Sequence, residues 1–232
     1  MSLPKIQMPI INITLPSTKE KKRFRPFLVR EEKLLLLAQE GNDNDLLEAI
    51  KQIINNCCLE DIDIDSLASF DLEYIFLKLR SRSVNNMVEL KYRDNEDSEV
   101  YTFNIDLDNI DVVFDPTHNN KIKINDEYTL LMKYPGVNTA SIAKQLQSED
   151  DLFYLMIIQS LDKLYSGDEV YIMSEYTFDD AKQFIDGLPV PVFEKIQEFF
   201  QTMPRLYHKL EYVNKNGTPR TIELQGIKDF FM

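Results

Sequence analysis

Apolar residues recur at helical spacing in two neighbouring segments near the start of the chain. Arg30–Glu40 carries a short apolar stripe and is followed by Gly41, a candidate C′ residue. Asp43 or Asp45 is the candidate N-cap of the next segment. The apolar face of that segment consists of Leu46, Leu47, Ile50, Ile53, Ile54 and Cys57. The spacing predicts two consecutive helices.

Two further segments have the same periodicity. Residues 70–83 repeat apolar side chains at i, i+3, i+4 and i+7, with Asp71 as the expected N-cap. Arg80 and Arg82 stand near the end of this segment, where the helix dipole favours cations. Residues 138–165 predict a helix whose later part is apolar on several faces, and we expect it to be central and buried. Its main stripe is formed by Phe153, Met156, Ile157, Ser160, Leu161 and Leu164.

Strand-like alternation marks the remaining segments. Residues 10–29 read as two strands joined by a Pro-Ser-Thr-Lys turn. The stretches 88–107 and 208–224 share an outline, in which a Leu-charge-Tyr triplet, a polar turn and a returning strand follow one another. Asn216-Gly217 is the clearest turn signal, because both residues tolerate positive φ at little cost. The chain therefore contains a repeated hairpin unit.

The order of these elements is β, α, β, α, β, and the strands form local hairpins without crossover connections. This order predicts an α+β fold, with a helical core and several small antiparallel β-hairpins. We expect a single interdependent domain over 1–232. Its parts are an N-terminal hairpin at 10–29, helices at 30–83, a β region at 88–132, helices at 138–203 and a C-terminal hairpin at 207–225.

The composition is that of a protein with a substantial core. The chain has 232 residues, of which 44% are hydrophobic, and no apolar run approaches the roughly 20 residues that cross a bilayer. The N-terminus lacks the features of a secretory signal. Cys57 and Cys58 are adjacent and poorly placed to bridge each other, which favours a reducing compartment. These features predict a soluble intracellular protein.

Net charge is −13, from 39 acids and 26 bases. A general nucleic-acid binder carries a basic footprint, so this balance argues against that role. The cationic stretch KEKKRFR at 19–25 has the composition of a nucleic-acid contact, but a solvated hairpin tip on an acidic protein is the favoured interpretation. We expect no nucleic-acid partner.

Signatures of catalysis and metal binding are missing or incomplete. No Gly-x-Gly and no phosphate-binding loop occurs in the sequence. Asp61, Asp63 and Asp65 are spaced two apart, but an EF-hand loop would need a glycine and a final acid that are not there. His118 and His208 lack the partners of a triad or a zinc site and are expected at the surface. We expect no enzymatic activity, no cofactor and no metal.

Candidate partner-binding residues come from charged or aromatic clusters that look exposed. They are Lys21, Lys22, Arg23, Phe24 and Arg25 at the first hairpin tip, Arg80 and Arg82 at the end of the third helix, and Phe230 and Phe231 in the terminal DFFM. The terminal segment has two open interpretations. It either docks on a partner or closes the protein's own core as an aromatic plug.

Four phrases in the sequence point to a family. They are RPFLVREEKLLLLA (25–38), FDLEYIFLKLRSRSV (70–84), KYPGV (133–137) and FFQTMPRLYHKLEY…GTPRTIELQGIKDFF toward the C-terminus. In this order and at these distances they resemble the baseplate hub proteins of T-even-like contractile-tailed phages, from about residue 10 to residue 231.

The resemblance implies a non-enzymatic phage tail protein that acts through protein–protein contacts. It would be a baseplate hub subunit or a hub assembly chaperone, and exposed apolar side chains ringed by acids would recognise its partners. Those partners would be other baseplate hub proteins, with the tape-measure protein as a further candidate and no membrane contact. The expected location is the host cytoplasm during assembly, or the tail baseplate of the virion.

The resemblance also bears on the repeated hairpins. In many relatives the two hairpins resemble zinc-ribbon knuckles with Cys-x-x-Cys at each turn, which supply four thiolates to one zinc ion. Here the turns read RDNEDSE (93–99) and VNKNGTP (213–219), without cysteine. We therefore expect cysteine-less knuckles that lie side by side without metal. The alternative is that the outlines agree only because hairpins look alike.

A second function remains open from the charge. A small acidic phage protein can act as a nucleic-acid mimic that inhibits a host DNA-binding protein. The acids here are interspersed with bases and do not form long regular rows. The mimic is therefore the alternative to the hub interpretation.

Overall fold

The computed structural model describes residues 7–139 and 149–231, in which helices and small antiparallel sheets alternate. The described helices are α1 Val29–Gln39, α2 Asp43–Cys57, α3 Ser69–Ser83, α4 Glu149–Ser160, α5 Phe178–Asp186, α6 Val190–Gln201 and α7 Lys228–Phe231. The strands are β1 Ile11–Thr14, β2 Lys21–Phe24, β3 Met87–Arg93, β4 Val100–Asp106, β5 Asp111–Val113, β6 Lys121–Lys123, β7 Tyr128–Met132, β8 Leu161–Ser166, β9 Glu169–Ile172, β10 Arg205–Val213 and β11 Pro219–Gln225. The predicted α+β class is confirmed.

The chain divides into two compact units. Unit 1 contains the described residues up to 64, together with 70–113 and those from 205 onward. Unit 2 contains 65–69 and 114–204. The interdependence of the whole chain as one domain stays a prediction.

Unit 1 contains the β1–β2 hairpin, the β3–β4 hairpin and a three-stranded sheet of order β11-β10-β5. The predicted apolar face of α2 is buried, with Leu47 only partly so. The N-cap of α2 is Asn42, not Asp43 or Asp45 as predicted, and Asp45 completes the capping box by accepting the Asn42 N–H. Besides the buried face of α2, unit 1 has a core cluster that consists of Leu77, Ile105, Leu107, Ile110, Leu206, Ile222, Leu224 and Phe230. Strands therefore contribute more residues to this core than the helices do.

Asp71 is not the N-cap of α3, contrary to the prediction. The helix begins at Ser69, so Asp71 lies in its first turn, and its side chain is buried. There it accepts hydrogen bonds from the N–H of Ser17, at 3.0 Å, and from the Ser17 hydroxyl. The carboxylate thus fixes the turn between β1 and β2 against α3.

Unit 2 is built on a four-stranded antiparallel sheet of order β6-β7-β8-β9. Its core consists of Ile122, Leu130, Met132, Ile157, Leu161, Met173, Ile185, Val192, Ile196 and Phe199. Apart from Met173, which follows β9, these residues come from the sheet and from α4, α5 and α6, so the helices cover the sheet's apolar side.

The predicted helix over 138–165 is wrong in extent. α4 ends at Ser160 and the chain continues directly as β8, where Leu161 and Leu164 pair with Met132 and Leu130 of β7. The turn at Gly167, which has φ +56°, lets β8 pair with β9, so both leucines lie in the interior strand β8 of the sheet. The expected helical residues 140–148 lie outside the described residues. Nor is α4 buried all round, since Leu152, Phe153 and Met156 are exposed.

Gly136 of the KYPGV phrase permits a close backbone approach inside unit 2. It forms a bridge with Ala68, and the neighbouring Val137 N–H donates to the Leu67 carbonyl at 3.0 Å. A Cβ at position 136 would lie 2.6 Å from the carbonyl oxygen of Asp65. Only glycine fits here without a backbone shift.

Candidate functional site

The two repeated hairpins lie side by side in unit 1, as the repeat in the sequence predicted. They belong to different sheets, and aromatic side chains join them. The ring of Tyr212 in β10 lies 4.7 Å from Tyr101 and 5.4 Å from Phe103, both in β4, between ring centroids. Tyr92 in β3 contacts the same ring edge-on. Tyr212 is therefore the centre of the contact.

A buried carboxylate anchors the tips of the two hairpins. Asp94, at the end of β3, accepts hydrogen bonds from the Tyr212 hydroxyl and from Nε of Arg220 at 3.1 Å. Its other oxygen accepts the Glu96 N–H of its own turn at 2.7 Å. The hydrogen bond from Tyr212 holds the pKa of Asp94 below its ordinary value. The carboxylate is thus charged and satisfied while buried.

A second layer of polar contacts surrounds this anchor. Glu96 accepts from the Asn214 side-chain amide and from the Thr218 hydroxyl, each at 3.0 Å. The Lys215 N–H donates to Asp97 at 3.0 Å. Side chains of one turn therefore satisfy polar groups of the other. We call the residues of this contact the tip cluster: Asp94, Glu96, Asp97, Tyr212, Asn214, Lys215, Thr218 and Arg220.

The turns themselves differ from the expected pattern. Gly217 has φ +82° but Asn216 does not have positive φ, so the turn is not the predicted one with two left-handed residues. Instead the Asn214 side chain accepts the Thr218 N–H at 2.8 Å. In the described part of the chain no group of three or more His, Cys, Asp or Glu residues is placed to hold a metal ion. The likeness to zinc knuckles stays a prediction.

The predicted basic tip on β2 is only partly exposed. Lys21 and Arg23 are exposed, and Arg23 pairs with Glu60 at 2.5 Å. Lys22 is half-buried and pairs with Glu20 at 2.8 Å. Phe24 is fully buried, which corrects the expectation that its ring is exposed. It alternates with the exposed side chains of β2 and therefore faces the core.

Arg25 has a structural position. Its guanidinium forms two hydrogen bonds with Glu31, at 2.9 and 3.2 Å, and donates to the Asn56 carbonyl at 2.8 Å. Glu31 is buried, and burial alone would raise its pKa, but hydrogen bonds from Arg25, Arg30 and the Leu28 N–H hold the pKa at about 2. The pair ties the end of β2 to the start of α1 and the end of α2.

The remaining predicted contact residues fall into three environments. Arg82 is exposed, whereas Arg80 is half-buried and lies 3.7 Å from the Glu32 carboxylate. Phe230 is 1% exposed and belongs to the core of unit 1, which corrects its expected exposure and agrees with the plug interpretation. The side chain of Phe231 lies outside the described residues. The partner-binding roles of all these residues stay predictions.

His118 and Cys57, two residue types that can carry catalysis, are both packed against other parts of the chain. The His118 ring is half-buried, not at the surface as expected, and stacks on Tyr134 while contacting Phe199 and the Thr202 hydroxyl. Burial lowers the pKa of His118, so the ring is neutral near pH 7. Cys57 is buried, as expected of a core residue, and burial raises its pKa to about 11.

Sequence reasoning missed an apolar groove in unit 2. Two adjoining cavities, of about 420 and 600 Å³, share Tyr128, Leu164 and Phe184 as lining. The first extends toward the end of β9 and the start of α5, past Tyr171, Met173, Tyr176, Asp180 and Ala181. The second extends along Ile124, Asn125, Gln183, Gly187, Leu188 and Pro189. Together they form a continuous depression between the sheet and α5, which we call the α5 groove.

The segments that form the α5 groove are rich in exposed acids, of which Asp180 lines the groove directly. The segments that line it, 124–128 and 164–189, contain one base, Lys182, and are directly preceded by Lys123, which pairs with Asp126 at 2.6 Å, and by Lys163. Lys182 lies over the ring of Tyr154, 4.5 Å from its centroid. The acids of the same segments are all exposed and are Asp126, Glu127, Asp168, Glu169, Glu175, Asp179, Asp180 and Asp186. The signal available in the sequence was this local excess of acids among tyrosines and phenylalanines.

The sequence matches the T4 bacteriophage base plate protein family over residues 8–232. The chain belongs to this family. The match covers nearly the whole chain and agrees with the resemblance drawn from its four phrases. No curated protein and no solved structure matches the chain. Within residues 7–139 and 149–231, the helices are too short or too polar to cross a bilayer.

Proposed function

We propose that this base plate protein acts in the hub of the baseplate, as a hub subunit or a hub assembly chaperone without enzymatic activity. The family match over residues 8–232 carries the proposal. The observed geometry supports a binding role, because the His118 ring packs against aromatic side chains and the Cys57 thiol is buried. The partners are other hub proteins, with the tape-measure protein as a further candidate.

Recognition relies on apolar surface bordered by acids. In unit 2 this is the α5 groove, and in unit 1 the exposed apolar positions Val29, Leu36 and Leu37 lie along α1. A net charge of −13 keeps such a surface soluble before docking and repels other copies. Docking then covers the apolar area and leaves the acids at the rim.

Quantitative mass spectrometry of mature particles and of assembly intermediates from infected cells tests the proposal. A fixed, small copy number in mature particles identifies a subunit that stays. Presence only in intermediates identifies an assembly factor that leaves. Absence from both overturns the hub assignment and favours a host-directed role.

Alanine substitutions of Lys21, Arg23 and Arg82 test the exposed basic residues as partner contacts. We expect reduced incorporation of these variants into hub intermediates at unchanged thermal stability, because the three side chains are exposed. Arg25→Ala is the comparison, since Arg25 serves the fold through Glu31. Normal incorporation of the three exposed variants removes them from the contact surface.

A further inference from the structure

We infer that the α5 groove binds a basic amphipathic segment of a partner protein, one that inserts apolar side chains and places Lys or Arg beside them. The inference rests on the proposed function and specifies where in the chain, and with what chemistry, a hub partner is recognised. The apolar lining of the groove requires apolar side chains in the bound segment. The exposed acids of the surrounding segments favour positive charge in it.

The lining requires apolar side chains in the occupant. Tyr128, Leu164 and Phe184 form the shared part of the groove, and each is only half-buried, although Leu164 and Phe184 pack against the core of unit 2. Tyr176 is 47% exposed at one end. Half-exposed aromatic rings around a concave apolar floor are typical of peptide-binding surfaces, where rings supply contact area at low cost in conformational entropy. The groove can therefore accept at least one apolar side chain at each end.

The border selects the charge of the occupant. Eight exposed acids and one lysine occur in the two segments that line the groove. The whole chain carries 39 acids to 26 bases, so these segments are more acidic than the chain as a whole, even with the neighbouring Lys123 and Lys163 counted. An acidic segment would meet like charges on both sides, whereas a basic one meets opposite charges and associates faster. Nucleic acid is excluded by the same repulsion.

Several acids near the groove have a structural role, because they accept hydrogen bonds that hold the surrounding elements in place. The Tyr154 hydroxyl of α4 donates to Asp186 at the end of α5, and the Tyr171 hydroxyl donates to Glu169 at 2.6 Å. Thr177 and Asp180 cap α5 reciprocally. The side chains of Glu127 and Glu175 form no such hydrogen bond among the contacts of the described residues. These two acids can therefore be replaced without disturbing the fold.

The first test uses a short fluorescein-labelled peptide that places leucine on one helical face and lysine on the other. Fluorescence anisotropy measures its binding to the full chain and to the double variant Glu127→Lys/Glu175→Lys. We expect the double variant to weaken binding at least about tenfold, through lost attraction and added repulsion. Tyr176→Ala should weaken it several-fold through lost apolar contact.

A matched control separates groove binding from general attraction to an acidic protein. Glu89→Lys/Glu211→Lys changes the net charge by the same amount on exposed strand positions of unit 1. This variant should bind the peptide like the unchanged chain. Equal weakening by both double variants, or no binding of the peptide to the unchanged chain, overturns the inference. So does equally tight binding of the peptide with glutamate in place of lysine.

The second test separates failure of the inference from failure of the proposed function. The unchanged chain and both double variants are supplied during infection, and each is quantified in hub intermediates. We expect the unchanged chain and the control variant in the intermediates and loss of the groove variant. Equal incorporation of all three overturns the groove while the hub function stands. Absence of the unchanged chain overturns the hub function itself, and a self-association that only the groove variant loses would identify a second copy as the occupant instead.

Discussion

Asp94 and Arg220 are 126 residues apart in the sequence, yet Nε of Arg220 lies 3.1 Å from Oδ2 of Asp94. The pair joins the two repeated hairpins at their tips. Because Asp94 is buried, loss of Arg220 leaves a carboxylate with fewer partners in a site that water does not reach.

We expect Arg220→Gln and Asp94→Asn each to lower the thermal midpoint by several degrees. The double variant should lose less than the sum of the two, because the residues act as a pair. Differential scanning fluorimetry of the four proteins measures the coupling. Arg82→Gln, at an exposed position, is the control and should leave the midpoint unchanged. Strictly additive losses would show that the pair does not couple the hairpins.

Removal of metal ions by a chelator should leave the contact between the two hairpins intact. The tip cluster is held by hydrogen bonds and an ion pair, and its turns contain no cysteine. We therefore expect the same thermal midpoint with and without EDTA, and no zinc by elemental analysis of the purified protein. A lower midpoint in EDTA would contradict the prediction that these hairpins do without metal.

The Arg25–Glu31 pair should dominate the stability of the β2–α1 connection. Replacing Arg25 with methionine leaves the buried Glu31 carboxylate with one fewer guanidinium, and we expect a loss of about 3 kcal/mol in the free energy of unfolding. Urea unfolding at pH 7 measures this loss. Arg23→Met removes an exposed pair with Glu60 and should change little. Equal effects of the two substitutions would contradict the assignment.

The same pair predicts an acid transition. The pKa of Glu31 is about 2 in the folded chain, below its ordinary value of 4.5, so the unfolded chain binds its proton first. Its contribution to stability is complete above pH 4.5 and is lost as the pH falls toward 2. In Glu31→Gln this dependence should disappear, and urea unfolding between pH 5 and pH 2.5 should show a flatter curve than the unchanged chain.

Glu73 should give the opposite pH dependence of stability. Burial against the C-terminal turn raises its pKa to about 7, although the Ile227 N–H hydrogen bond opposes the rise. The folded chain therefore holds this proton longer than the unfolded chain, and the stabilisation present below pH 4.5 is lost as the pH rises through 7. The shift corresponds to a difference on the order of 3 kcal/mol. Glu73→Gln should be more stable than the unchanged chain at pH 8 and similar at pH 4.5.

Phe230→Ala tests whether the chain behaves as one domain. The ring is buried in the unit 1 core, and its removal should cost about 3 kcal/mol. The chain passes between the two units after residues 64, 69, 113 and 204, so we expect one calorimetric transition that moves as a whole. The exposed Val213→Ala is the control. Two transitions, of which only one moves, would show independent domains.

Local patterns in the sequence predicted the elements that depend on neighbouring residues. The α2 face and the C-terminal hairpin were correct because 3.6-residue and two-residue periodicities directly reflect burial. Leu161 and Leu164 were assigned to a helix because their spacing also suits one, and only their pairing with β7 makes them a strand. Phe24 and Phe230 looked exposed beside charged neighbours, but alternation and a final helical turn direct both inward. The α5 groove is formed by segments 124–128 and 164–189, whose meeting no local pattern encodes.

Because the chain leaves unit 1 and returns to it after residue 204, the two units are completed at different times during synthesis. Unit 2 has all its residues once position 204 has left the ribosome, whereas the core of unit 1 still needs Leu206, Ile222 and Phe230. The apolar sides of α3 and β4 therefore stay uncovered until β10, β11 and α7 have been synthesised. A translation product interrupted after residue 204 would contain every segment of the α5 groove, while the core of unit 1 would still lack β10, β11 and α7. Such a product would expose apolar surface and be prone to aggregate, so the late strands β10 and β11 complete the fold on which binding of a hub partner depends.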